Sequence, residues 1–122
     1  MNYDKLCKDV LELNPQIRFA GIYTKRGEIM GVGMRENVTS LLNPDEIKMS
    51  LYHATLRWET RKALSHRIGN EKYSMTEYEK VKRISIPIED KYLLLVSTET
   101  KIDHDKVIKE IFKLIETHSK EN

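Results

Sequence analysis

The segment that most constrains this chain is residues 43–68, NPDEIKMSLYHATLRWETRKALSHRI, which the apolar spacing predicts as one long helix. Asn43 suits the N-cap, because its side chain can accept from the unpaired backbone N–H groups of the first turn. Pro44 fits the first helical position, and Asp45 and Glu46 complement the positive end of the helix dipole. Glu46 also stands three residues past Asn43, the spacing of a capping box. Gly69-Asn70 supplies the stop. At roughly 100° per residue, Ile47, Leu51, Ala54 and Trp58 share one face, while Met49, Tyr52, Leu56 and Ala63 lie on nearly the opposite one. A helix covering one side of its own sheet needs one apolar face. This one has two, so the second must meet another element, a ligand or another chain.

The remaining segments are simpler. Tyr3, Leu6, Cys7, Val10 and Leu11 form a single stripe on a helix over residues 3–13, with Asn2 as its cap and Asn14-Pro15 as its end. IRFAGIYT and EIMGVGMR are short β-rich runs around a turn at KRG, where Gly27 can supply the positive φ of a tight hairpin. The second run is expected to place Met30, Val32 and Met34 on one face and Ile29, Gly31 and Gly33 on the other. A glycine strip leaves room for close packing, most simply by a helix of the same protein. EKYSMTEYEK, residues 71–80, reads as a loop, a short edge strand, or both. VKRISIPIED alternates, with Ile84, Ile86 and Ile88 on one side and Arg83 and Ser85 on the other; Pro87 places that stretch at an edge or a bulge. KYLLLVST is apolar without interruption, as expected of a central strand covered on both faces. Asp103 caps a last helix with a single stripe of Val107, Ile108, Ile111, Phe112 and Ile115, and residues 117–122 read as a frayed tail.

Hairpin-linked strands imply an antiparallel sheet, and the whole is predicted as one α+β domain over residues 1–122. Its sheet has four to five strands, with the long helix on one face and the terminal helices on the other. Basic and acidic residues nearly balance, 21 against 19, so net charge makes no case for a nucleic-acid or membrane partner. A local case could rest on Arg57, Arg61, Lys62 and Arg67, a basic patch along the long helix, although Glu59 interrupts it. The single cysteine, Cys7, falls on an apolar stripe and is expected to be a buried thiol in a reducing, cytoplasmic setting. MNYDKLCKDV has no signal-peptide core, and YLLLV is too short to span a bilayer.

The layout resembles the roadblock (dynein light-chain type) domains within the wider profilin-like group. In that family a first helix precedes a hairpin with a turn glycine, here AGIYTKRGEIMGVG. A long helix follows, then antiparallel strands ending in an apolar one, here YLLLVST, and a last helix. The resemblance covers most of the chain and lies in its architecture. It implies a homodimer built through the long helix and edge strands. It also implies a non-catalytic regulatory platform for a protein partner such as a small GTPase. The expected dimer face is then Met49, Tyr52, Leu56 and Ala63, with Trp58 anchoring the helix to its own sheet.

Signs of chemistry are sparse. GVGMRE has Glu36 where a dinucleotide loop needs a third glycine, and no phosphate-binding lysine-serine pair follows it. His53, His66, His104 and His118 show no metal spacing and are expected at the surface. There is no nucleophile elbow, so neither enzyme activity nor a cofactor is expected. Two other roles stay open: a sensory domain holding a small ligand between sheet and long helix, and a nucleic-acid-binding protein using the arginine-bearing helix.

Overall fold

The structure, a computed structural model, describes residues 1–121. In chain order the elements are α1 (Tyr3–Glu12), β1 (Ile17–Thr24), β2 (Ile29–Met34), α2 (Pro44–Lys62), α3 (Ser65–Ile68), β3 (Ser74–Glu77), β4 (Lys82–Ile88), β5 (Tyr92–Thr98) and α4 (His104–Ser119). The five strands form one antiparallel sheet in the order β2-β1-β5-β4-β3. The fold is thus the predicted α+β arrangement, and residues 71–80 divide into loop and edge strand.

β5 is central and apolar on both sides. Leu94 and Val96 enter the larger core with Leu6, Val10, Ile111 and the β4 isoleucines, under α1 and α4. Leu93 and Leu95 enter a smaller core with Tyr23, Ala54 and Trp58, under α2. Pro87 pairs with Leu93, but β3 reaches along β4 only as far as Ser85. The proline therefore sits on a stretch of β4 whose outer side is open, where its missing donor leaves no gap in a ladder.

The glycines of β2 admit α1. A Cβ on Gly31 would lie 2.6 Å from the Tyr3 carbonyl carbon, and one on Gly33 would lie 2.9 Å from the Cys7 carbonyl oxygen. That contact buries Cys7, whose thiol is pushed up to about 12 chiefly by burial, so it stays protonated at neutral pH. At the outer edge of β2 the Val32 N–H donates to Asp4 Oδ1 at 3.0 Å, so α1 also blunts that edge.

Four expectations need correction. The long helix is not continuous to residue 68. It ends at Lys62, its last turn tightening into bonds from Ala63 N–H to the Thr60 carbonyl and Leu64 N–H to the Arg61 carbonyl, before the single turn of α3. The inward stripe of Ile47, Leu51, Ala54 and Trp58 would next reach Arg61, Lys62 and Ser65, which have nothing apolar to bury. Second, Ile29 does not share a face with the glycines. An irregularity at Met30 pairs Ile29 with Tyr23 and Gly31 with Ile22, moving Ile29 to the α2 side. Third, α4 does not fray from residue 117 but continues through Ser119, while Asn122 lies outside the described residues. Fourth, His118 is not at the surface. It is 3% exposed, one heptad after Ile111 on the same stripe, with Nε2 2.8 Å from Asp9 Oδ2 on α1. That bond locks the end of α4 to α1.

Candidate interaction surface

α2 begins as its sequence dictates. Asn43 Oδ1 accepts from Glu46 N–H at 2.9 Å, and Glu46 Oε1 accepts from Asn43 N–H at 3.0 Å, a complete capping box with Pro44 in the first turn. The helix is then held to the sheet by little. Its buried residues are Ala54, Thr55 and Trp58. Trp58 packs on Tyr23, Leu93 and Leu95, and the ammonium groups of Lys25 and Lys62 lie 5.2 Å and 5.5 Å from its ring centre. Lys62 also pairs with Asp90 at 2.8 Å, and Lys25 with Glu59 at 3.4 Å. The hydrogen bond between Lys62 and Asp90 raises the Lys62 pKa and lowers that of Asp90.

The opposite face of α2 is bare. Met49, Tyr52 and Leu56 are 63%, 62% and 49% exposed, and Ala63 is exposed beside them. Leu64 and Ile68 extend the apolar strip past the helix break. All four expected interface residues are therefore exposed, and Met49 also lines the rim of the cleft under α2. No helix of the same protein covers them, since α1 and α4 pack on the other side of the sheet. The strand at the far end of the sheet, β3, is short and presents its outer edge.

The basic residues do not act as one patch. Arg61 Nη1 donates to Glu71 Oε1 at 2.8 Å, and Lys62 is committed to Asp90. Arg57 and Arg67 are exposed and form no ion pair among the described residues. Half of the predicted cluster is thus neutralised within the chain.

Beneath the amino half of α2 the helix stands off from the sheet, leaving a cleft of about 1090 Å3. Sheet residues Phe19, Arg83, Leu95 and Ser97 line it from one side, and Ile47, Leu51 and Ala54 from the helix. Cross-strand neighbours, more than local sequence, bring this set together. Among the described residues no group of three or more His, Cys, Asp and Glu side chains is arranged to hold a metal ion. No helix of those residues is long and apolar enough to cross a membrane.

The profile of a family of unknown function (DUF6659) matches residues 1–122. No protein of curated function matches the chain. Among solved structures, the Roadblock/LC7 domain from Streptomyces avermitilis superposes with a TM-score of 0.74 at 15% identity, over 96% of this chain and 94% of that one. MglB from Myxococcus xanthus gives 0.73 at 11% identity, over 93% and 89%. A structure described as MglB with tetrameric arrangement gives 0.66 at 10%, over 93% and 87%. The fold is that of the Roadblock/LC7 domains.

Proposed function

The chain belongs to the family of unknown function DUF6659, and from its fold and its uncovered helix we propose that it is a non-catalytic homodimeric regulatory module. Two copies associate through Met49, Tyr52 and Leu56 of α2 and its C-cap Ala63 about a two-fold axis, with the open β3 edges adjoining. The dimer then offers a platform to a protein partner, and the roadblock resemblance points to a small GTPase.

One observation carries this reading: three large apolar side chains on one helix face are 49% or more exposed, while the other face of the same helix is anchored to the sheet. Scattered single apolar residues on a surface are ordinary, but a contiguous strip along a helix marks an interaction site. A two-fold arrangement is the economical way to cover it, because a self-complementary patch closes after two copies. A solved neighbour of the same fold is described as MglB with tetrameric arrangement, which supports the reading.

The test is mass in solution. By size exclusion with light scattering at micromolar concentration, the chain is expected to elute at twice its formula mass, and Leu56→Glu at the monomer mass with unchanged far-ultraviolet dichroism. A wild-type chain that stays monomeric overturns the proposal.

A further inference from the structure

The cleft under α2 has a chemistry that self-association through the outer helix face leaves unused. Its volume, about 1090 Å3, lies just above the roughly 300–1,000 Å3 usual for small-molecule sites. Most of its wall is apolar, from Phe19, Leu95, Ile47 and Leu51.

The cleft's polar and charged lining includes Arg83. The alternation of β4 sends it to the α2 side, because Ile84, Ile86 and Ile88 fill the opposite core. It is half-buried, as are Arg18 and Arg35; the other arginines are exposed. Arg18 bonds Glu99 and the Thr39 carbonyl, and Arg35 bonds the carbonyls of Leu11, Asn14 and Ile17. Arg83 has no hydrogen-bond or ion-pair partner among the described residues. Its cross-strand neighbours are Ser97 and Thr76, both neutral hydroxyl residues that also line the cleft. A guanidinium cannot shed its charge, and its planar fork matches a carboxylate. The field of Arg83 reaches the Tyr23 phenol: burial and the Cys7 thiol push that hydroxyl's pKa up, and Arg83 draws it back down. The acidic residues at the cleft, Asp45, Glu46 and Glu79, are all exposed, and Glu46 is occupied in the capping box. The half-buried cation at the floor and the apolar walls are complementary to a ligand with an anionic head and an apolar body.

We infer that this cleft binds a small amphipathic carboxylate of the fatty-acid class. Its head pairs with Arg83 beside the Ser97 and Thr76 hydroxyls, and its chain lies between Leu51 and the ring of Phe19. An arginine fork matches a carboxylate in two parallel hydrogen bonds, which an alcohol of equal length cannot reproduce.

The probe is decanoate, with decanol as the uncharged control, titrated into the full chain and followed by amide shifts and calorimetry. One decanoate per chain is expected, with shifts at Arg83, Ser97, Leu51 and Leu95. Arg83→Met should weaken decanoate by about tenfold or more, the scale of losing a charged hydrogen bond, and leave decanol within about twofold. Should Arg83→Met unfold, Arg83→Lys keeps the charge without the fork, and a clear loss is expected there as well. Leu56→Glu, which acts on the outer face, should bind decanoate as the wild type does. The inference is overturned by the absence of saturable binding, by equal binding of acid and alcohol, or by indifference to the Arg83 variants. It is equally overturned if only the Leu56→Glu monomer binds, because a second copy would then be the occupant.

Discussion

On one side of the sheet, α1 and α4 each turn a single apolar stripe inward, and the space between is filled from Leu6 to Ile111 with fully buried side chains. On the other side, α2 buries Ala54, Thr55 and Trp58 and leaves a cleft at its amino half and a bare strip on its back. Both sides are built on the same central strand, so the difference lies in the helices. The α1–α4 side spends its apolar residues on the stability of the chain. The α2 side keeps most of its own available for contact with something else. Core positions on the first side should therefore answer to stability measurements, and α2 positions to association.

The sharpest contrast comes from Ile111, which is fully buried. Ile111→Ala should cost about 2–5 kcal/mol in urea unfolding, the range for truncating a large core side chain. A smaller effect is expected at the α1–β2 contact. Gly31→Ala places a methyl 2.6 Å from the Tyr3 backbone, and should destabilise by about 1–3 kcal/mol, as overpacking does. Of similar or lesser size is Asp9→Ala, which leaves His118 buried without its 2.8 Å partner. The loss of about 1–3 kcal/mol expected for an orphaned buried polar group should appear with faster amide exchange in the last turn of α4. At the other extreme, Leu56→Glu should move the stability of the dilute monomer by no more than about 0.5 kcal/mol. A Leu56 effect as large as that of Ile111 would erase the distinction between the two sides.

Much of this division can be read from residue order. The single stripes of α1 and α4, the doubled faces of α2, the Asn43 capping box and the unbroken YLLLV run each follow a local period, and each stands in the structure where its period puts it. The glycines of β2 were legible as clearance, since a strand without side chains invites close approach. What stayed hidden depends on partners distant in sequence. The bulge at Met30 turns Ile29 over, and only the pairing with Tyr23 reveals it. His118 continues the Ile111 stripe, but its burial needs Asp9, more than a hundred residues away. α2 stops at Lys62 although no proline or glycine marks the place; the next positions of its inward stripe, Arg61, Lys62 and Ser65, have nothing apolar to bury. Arg83 is ordinary in sequence; its isolation emerges only when Ser97 and Thr76 arrive on either side of it. The exposed strip on α2 was visible as a pattern, whereas the standoff that opens the cleft was not.

Hydrogen exchange at two protein concentrations addresses the central claim, that the back of α2 is a contact surface between copies. As concentration rises from nanomolar to micromolar, protection should grow in α2 and along β3 while α1 and α4 exchange at unchanged rates. Equal exchange of α2 at both concentrations, in a chain shown to be monomeric at the higher one, would contradict it.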